Sequence, residues 1–227
     1  MSASFPSRWP AKNPDHIQAY TFGTPNGRKL TIALEEMELP YDLHKIDILK
    51  DEQFDPEFVR INPNSKIPAM LDPHGPNDEP IALMESAVIL QYLAEKTGKL
   101  IPSDAAGRWE TLQWLAFQIA SVGPMFGQFG HFYMFAKGKT DSYGEERYTK
   151  ETKRLLGVLD ARLADRPFLV GDTYTIADVA TFPWVRGIEF YKAEEHLDYA
   201  SYANVEPWVQ RCLARPKTAA GYDVFSS

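Results

Sequence analysis

The chain has 227 residues, with 31 acidic against 24 basic side chains and a formal net charge of −7 at pH 7. This acidic balance disfavours a nucleic-acid-binding surface, which requires clustered positive charge, and no apolar stretch reaches the length of a membrane span. Because Cys212 is the only cysteine, the chain can form neither an internal disulfide nor a Cys-x-x-Cys redox pair. We therefore expect a cytoplasmic protein, with neither nucleic acid nor membrane as a partner, whose thiol chemistry would need a thiol from another molecule.

The first part of the chain alternates strand and helix signals. Residues 1–16 are interrupted by prolines and lack a continuous hydrophobic segment, so we expect an N-terminal arm and not a secretory signal. From residue 17 to 102 the apolar periodicity predicts strands at 17–22, within "PYDLHKIDI", at 67–72 and at 81–85, and helices that contain "LTIALEEM" and "ESAVILQYLAEKTG". The order β-α-β followed by β-β-α predicts an α/β domain with helices covering a mixed four-stranded sheet.

Beyond Pro102 the strand signals disappear. Helical patterns cover residues 107–137, 144–165, 175–192 and 205–214, so we expect an all-helical C-terminal domain over 103–227. Thr175 and Asp178 have the spacing of a capping box at the start of the third of these helices.

Two short segments of the α/β part are suited to a small ligand. Pro68 opens a predicted strand; if the preceding bond were cis, Ile67 would turn its backbone outward to pair with a peptide-like ligand, although a trans bond is the commoner arrangement. Glu85 and Ser86 lie where a strand meets a helix, whose first N–H groups attract a carboxylate. Glu85 can hold an ammonium, so the pair fits an amino-acid head group; a plain N-cap role for Ser86 is the alternative.

Four motifs, in this order and spacing, make a more specific pattern: "TPNGRK", "INPNSKIPAM", "ESAVILQYLAEK" and "LVGDTYTIADV". Together they resemble the cytosolic glutathione transferase family from about residue 17 to the end. "PNGRK", "NPNSKIPA" and "LQWLAFQIASVGPMFGQFGHF" are most similar to the Nu class, whose bacterial and fungal members are linked to disulfide reduction. The resemblance implies a thioredoxin-like glutathione-binding domain over 17–102, an all-helical domain over 103–227, and a homodimer.

The resemblance also implies the cofactor and its ligands. The cofactor would be glutathione, with one or two molecules per site, or oxidised glutathione. Pro68 matches a cis proline, and the backbone of Ile67 would pair with the cysteinyl part of glutathione. Glu85 and Ser86 match the pair that holds the γ-glutamyl end, and no metal is implied.

Further contacts follow from the same resemblance. Gln53 and Lys66 match positions near the glycyl carboxylate. Arg147 matches a Nu-class arginine that reaches the site from the helical domain, although a solvated helix face is an equally frequent place for such a residue. Phe126, Phe129 and Phe132 are candidates for lining a second-substrate pocket, although such aromatic side chains more often pack in a core.

The turn "TFGTPNGRKL" contains no Cys, no Ser, no His and no carboxylate. Phe22 occupies the position of the tyrosine in Tyr-type members, whereas Thr24 and Asn26 match Nu-class residues close to the glutathione sulfur. A threonine hydroxyl and an asparagine amide can donate hydrogen bonds to a thiolate but cannot serve as bases near pH 7. Lowering a thiol pKa from about 8.5 by two units requires roughly 2.7 kcal/mol, which one or two such bonds and a helix N-terminus supply.

The resemblance implies an enzyme that uses glutathione to reduce small-molecule disulfides, with organic hydroperoxides as further candidate substrates. The first alternative is conjugation of glutathione to electrophiles, including cleavage of ether or halide bonds. The second, from another class, is a non-catalytic glutathione-fold protein that binds or regulates. The second-substrate pocket, which sequence describes poorly, separates the first two.

Overall fold

A computed structural model describes residues 6–139 and 141–225. Within these ranges the chain forms two compact units, one up to Thr97 that also includes the segment from Pro216, and one from Gly98 to Arg215. The first five residues of the expected arm lie outside the described residues.

The first unit is built on a four-stranded sheet. Its strands are β1 (Ile17–Thr21), β2 (Tyr41–Lys45), β3 (Ala69–Asp72) and β4 (Ile81–Met84), in the spatial order β2-β1-β3-β4. β1 pairs parallel with β2 and antiparallel with β3, and β3 pairs antiparallel with β4. The mixed sheet predicted from the sequence is confirmed. β3 begins two residues later than predicted, after Pro68, whose nitrogen cannot donate to a sheet ladder.

Three helices of this unit follow strands or turns: α1 (Pro25–Met37), α2 (Pro56–Ile61) and α3 (Ser86–Thr97). Asp55 caps α2 by accepting a hydrogen bond from the Glu57 backbone N–H. The sequence analysis did not assign α2, because six residues are too few to show a helical period.

The described part of the N-terminal arm is anchored to the first unit. The guanidinium of Arg8 bonds to Glu52 at 2.9 Å and to Asp55 at 2.6 Å. Trp9 is buried and its ring meets that of Phe58 edge-on, with the centroids 6.5 Å apart. The arm thus covers the hydrophobic cluster beneath α2.

The C-terminal helix α9 (Pro216–Asp223) packs on α1 within the first unit. The Thr31 hydroxyl donates to the Gly221 carbonyl at 2.6 Å, and Arg28 donates to the Tyr222 carbonyl at 2.8 Å. The compact units therefore differ from the expected division at 102/103, because the chain divides after Thr97 and returns to the first unit at Pro216.

The Gly221→Ala variant tests this helix contact. A Cβ at Gly221 would lie 2.5 Å from the Cα of Ile32, so α9 and α1 would have to separate. We expect the free energy of unfolding to fall by about 2 kcal/mol, as for other overpacked sites.

The control is Gly157→Ala on α6 (Tyr143–Leu163), where the atom nearest to the added Cβ is 3.9 Å away. The higher helix propensity of alanine should raise the free energy of unfolding by up to about 1 kcal/mol. Urea unfolding of both variants measures the difference; equal stabilities would contradict the predicted contact.

The second unit is helical in the residues described. Besides α6 it contains α4 (Ala105–Phe117), α5 (Gly123–Gly130), α7 (Ile176–Tyr191) and α8 (Val205–Leu213). The predicted helix over 107–137 is a succession of α4, a π-helical turn, α5 and a second π-helical turn that ends at Phe135. The capping box predicted at Thr175 and Asp178 is present at the start of α7.

Candidate functional site

A cavity of about 180 Å³ lies in the first unit, where α1, the loop before β3 and the start of α3 meet. It is lined by Asn26, Asn62, Asn64, Lys66, Ile67, Pro68, Glu85 and Ser86. Six of these eight residues were predicted as binding residues, and the structure brings them together.

The loop before β3 forms one wall of this cavity. The Ile67–Pro68 bond is cis, as the family resemblance implied. The buried amide of Asn62 supports the loop, because its Nδ2 donates to the Lys66 carbonyl at 2.6 Å and its Oδ1 accepts from the Asn64 N–H at 2.9 Å. The sequence analysis missed Asn62; the signal was an Asn followed by Pro, a common way to begin a turn.

The start of α3 forms the opposite wall. Glu85 has a left-handed backbone, with φ of 67°, and its side chain is exposed. Its carbonyl accepts the Ile89 N–H at 3.0 Å, so α3 begins directly after it at Ser86. The first N–H groups of a helix have no acceptor within that helix and favour an anion. An exposed carboxylate beside such a helix start fits the ammonium and carboxylate of an amino-acid head group.

The turn between β1 and α1 carries the predicted thiolate donors. Thr24 is the N-cap of α1, and its Oγ1 accepts the Gly27 N–H at 3.2 Å. Its own hydroxyl hydrogen can still be donated. Asn26, in the first turn of α1, lines the cavity, whereas Thr24 is not among the described lining residues. Gly27 is required for another reason, because a Cβ there would overlap the carbonyl oxygen of Phe22.

The aromatic residues of β1 and the turn offer no donor to the cavity. Tyr20 is fully buried and stacks on His44 with the ring centroids 4.7 Å apart. Burial raises the pKa of the Tyr20 hydroxyl, as does the charge of Asp42. Phe22 packs near Phe225, with the centroids 6.4 Å apart. This arrangement leaves Asn26 and Thr24 as the side-chain donors that the turn can offer to a ligand.

Lys29 is a buried cation that the sequence analysis did not identify. It lies one turn after Asn26 on α1 and is 0% exposed, and its Nζ is 3.3 Å from the Oγ of Ser86. Burial lowers the pKa of Lys29 to about 7, against the attraction of Glu85. The signal was its phase, since it falls on the apolar face of the helix beside Leu30 and Ala33.

The two residues predicted near a glycyl carboxylate have different positions. Lys66 is exposed and lines the cavity. Gln53 lies in the 3₁₀ turn Glu52–Phe54, half-buried, with its Nε2 3.5 Å from Asp51 Oδ1. It is absent from the described lining residues.

A second cavity, of about 660 Å³, lies in the helical unit. It is lined by Met125, Tyr143, Glu146, Arg147, Tyr148, Lys150, Glu151 and Arg154. Phe126 and Phe129 are each 1% exposed and belong to the helical core. Phe132 is half-buried and stacks on Tyr148 at a centroid distance of 5.5 Å, so it is the one predicted pocket phenylalanine next to this cavity.

Within residues 6–139 and 141–225, no group of three or more His, Cys, Asp and Glu side chains is placed to hold a metal ion. In the same ranges, no helix has both the length and the apolar character needed to cross a bilayer.

Comparison with known proteins agrees with the motifs. Residues 24–96 match the glutathione S-transferase N-terminal domain, and residues 122–216 match the glutathione S-transferase C-terminal domain. The chain is 47% identical over 204 residues to the disulfide-bond oxidoreductase YfcG of Escherichia coli (strain K12), covering 89% of this chain and 92% of that protein.

Solved structures give the same result. A glutathione transferase family member from Pseudomonas fluorescens pf-5, with two glutathione bound, has a TM-score of 0.93 and 49% identity over 95% of this chain and 96% of its own. A glutathione transferase from Pseudomonas putida, with one glutathione disulfide bound per subunit, has a TM-score of 0.93 and 46% identity over 96% and 95%. The family resemblance predicted from the sequence is confirmed: the chain belongs to the glutathione S-transferase family.

Proposed function

We propose that this protein is an enzyme that uses glutathione to reduce disulfide bonds. The observation that carries the proposal is the cavity of the first unit, which combines an amide donor, a cis-proline loop and an anion-binding helix start. The sequence has one cysteine, Cys212, so the chain has no dithiol of its own, and Cys212 is buried in the helical unit. The names of the relatives, a disulfide-bond oxidoreductase and a transferase with glutathione disulfide bound, support the same function.

The cavity walls hold the peptide. Ser86 and the first N–H groups of α3 bind the γ-glutamyl carboxylate, and Glu85 binds the ammonium beside it. The backbone of Ile67 pairs with the cysteinyl part, with Pro68 fixing the direction of the loop. Asn26, in the first turn of α1, lines the same cavity and would be available to the sulfur.

The turn before α1 stabilises the charge on sulfur. Asn26 donates its amide N–H and Thr24 its hydroxyl, and the N-terminal end of α1 adds a favourable dipole. When bound, glutathione would supply a thiolate for attack on a disulfide sulfur, which would release one substrate thiol and leave a glutathione mixed disulfide. A second glutathione would complete the exchange, with release of the other substrate thiol and oxidised glutathione. No side chain of the turn removes the proton; the turn lowers the thiol pKa so that the thiolate is present near neutral pH.

Two further side chains of the first unit complete the proposed site. Lys66 and Gln53 bind the glycyl carboxylate, Lys66 from the cavity wall and Gln53 from the 3₁₀ turn Glu52–Phe54. Arg147, exposed on α6 in a cavity that also contains Lys150 and Arg154, contributes positive charge for a ligand carboxylate.

We also propose that the enzyme is a cytoplasmic homodimer. Large apolar side chains are exposed in both units, among them Leu49 at 84% and Trp109 at 72%. Exposed apolar surface of this kind is typical of interfaces between subunits. The one buried cysteine is consistent with a reducing compartment.

A side-by-side turnover assay tests the function. Purified protein with glutathione is offered a model disulfide, an organic hydroperoxide and an aromatic halide at matched concentrations. We expect kcat/KM to be highest for the disulfide, because a stabilised thiolate serves all three reactions but disulfide exchange needs no further activation of the second substrate.

The alternatives give different results in the same assay. Disulfide turnover no faster than aryl conjugation would favour a conjugating transferase and refute the proposal. Glutathione binding without turnover of any of the three would indicate the non-catalytic binding or regulatory module.

A further inference from the structure

Lys29 contacts Ser86, the first residue of α3, which lines the cavity. Lysine is almost never fully buried, and removing an ammonium from water costs several kcal/mol unless nearby groups compensate. Its Nζ donates to Ser86 Oγ at 3.3 Å, and Ser86 lines the cavity. Lys29 therefore contacts a residue that lines the cavity, and its charge can stabilise an anion bound at the start of α3.

The hydrogen bond from Lys29 orients the Ser86 hydroxyl. Because its oxygen accepts from Lys29, its hydrogen is available for an acceptor elsewhere, and its residue is only 8% exposed. A ligand carboxylate at the first N–H groups of α3 is such an acceptor. It would also place a negative charge within reach of the field of Lys29.

Charged and titratable side chains near Lys29 bear on its protonation. Glu85, in the turn before α3, attracts the ammonium and raises the pKa of Lys29. The neighbouring Arg28 donates to the Tyr222 carbonyl, and α9 forms further hydrogen bonds with Thr31 and Glu36 of α1. From β1 the titratable side chain is that of Tyr20, which belongs to the cluster beneath α2.

We propose that Lys29 is a positioning residue of the glutathione site, which orients the Ser86 hydroxyl toward the γ-glutamyl carboxylate and takes up a proton as that carboxylate binds. The proposal rests on the function proposed above. It adds that the affinity for glutathione depends on Lys29, a cation that does not line the cavity and does not contact the ligand.

The sign of the pH dependence follows from the surroundings of Lys29. With a pKa of about 7 in the free protein, Lys29 is half protonated at pH 7. A bound carboxylate favours the charged form and raises the pKa, so binding at pH 7 takes up about half a proton. At pH 6 Lys29 is already charged and uptake vanishes. Above pH 7 the affinity falls, by up to about tenfold per pH unit, because a full proton must be taken up.

The experiment uses S-methylglutathione, whose sulfur cannot ionise, so that thiol protons do not enter the measurement. Isothermal titration calorimetry of the full chain at pH 7, in two buffers of different ionisation enthalpy, gives the number of protons taken up. We expect about half a proton for the wild type. Lys29→Met is expected to take up none, to bind about 10- to 100-fold more weakly at pH 6.5, and to show a flat affinity profile between pH 6 and 8.5.

Two controls make the result specific. Lys96→Met removes a partly buried lysine at the far end of α3, where it bonds to Asp72 at 2.7 Å, and should leave affinity and proton uptake unchanged. S-methylcysteinylglycine lacks the γ-glutamyl group, so wild type and Lys29→Met should bind it equally.

The outcomes separate the inference from the proposed function. No binding of S-methylglutathione to the wild type would overturn the function. Binding without proton uptake between pH 6 and 8.5 would overturn the role of Lys29, and this measurement needs no variant. Uptake that persists unchanged in Lys29→Met, or in Lys29→Gln where the first variant does not fold, would overturn it as well.

Discussion

The Asn26→Ala variant is expected to lose about 30-fold in kcat/KM for glutathione-dependent disulfide reduction. Asn26 lines the cavity at the first turn of α1, where its amide can donate to the glutathione sulfur. A hydrogen bond to a charged acceptor contributes about 2 kcal/mol, and its loss acts on the thiolate more than on the thiol. The pKa of the bound thiol should therefore rise by about 1.5 units, which a titration of thiolate absorbance in the ultraviolet measures.

Asn26→Asp is the sharper comparison because it keeps the size of the side chain. A carboxylate in place of the amide removes the donor and repels a thiolate, so the thiol pKa should rise further than in Asn26→Ala. Thr24→Ser keeps both the hydroxyl and the N-cap of α1 and should change the pKa little. If Asn26→Ala changes neither the thiol pKa nor turnover, the assignment of Asn26 to the sulfur is wrong.

Apolar periodicity was sufficient to predict most of the fold. β1 and α3 carry clear patterns and the segment of β2 a less regular one, and the structure has all three within a few residues of the predicted bounds. α2 and α9 were missed because helices of six and eight residues show barely two turns of a period. α9 can pack on α1 because Gly221 has no Cβ. This is a tertiary contact, and no local sequence pattern predicts it.

The candidate site was predictable only as a set of motifs. Considered alone, Pro68 favoured a trans bond and Ser86 a simple N-cap. The family resemblance carried by the combined motifs implied that both residues bind glutathione, and the structure places them in one cavity. Lys29 was missed since a lysine in a helix is normally solvated. Phe126 and Phe129 are core residues, because small residues on their helix let α7 approach closely: Gly123 and Gly127 both face Trp184.

The largest loss of stability is expected for Asp178→Ala at the start of α7. The carboxylate is fully buried, and its Oδ1 accepts from the Leu169 N–H and the Trp208 Nε1–H, each at 2.9 Å. Its Oδ2 accepts from the Thr175 N–H at 3.0 Å. Alanine leaves these three N–H donors buried without their acceptor, and each such donor costs about 1–3 kcal/mol. The Thr175 hydroxyl, which also bonds to Oδ2 at 3.3 Å, loses this partner too. We expect the free energy of unfolding, measured with urea, to fall by about 4 kcal/mol, a large part of the stability of a typical domain.

Two comparisons decide whether the buried network or ordinary helix capping causes this loss. Asp104→Ala removes the exposed N-cap of α4, whose Oδ1 accepts from the Gly107 N–H at 2.8 Å, and should cost only about 1 kcal/mol. Asp178→Asn keeps an oxygen acceptor for the Leu169 and Trp208 N–H groups, but its amide N–H faces the Thr175 backbone N–H. We therefore expect the free energy of unfolding to fall by an intermediate amount, about 2 kcal/mol. If Asp178→Ala costs no more than Asp104→Ala, the carboxylate is only a cap, and α7 is held to the loop before it and to α8 by hydrophobic packing alone.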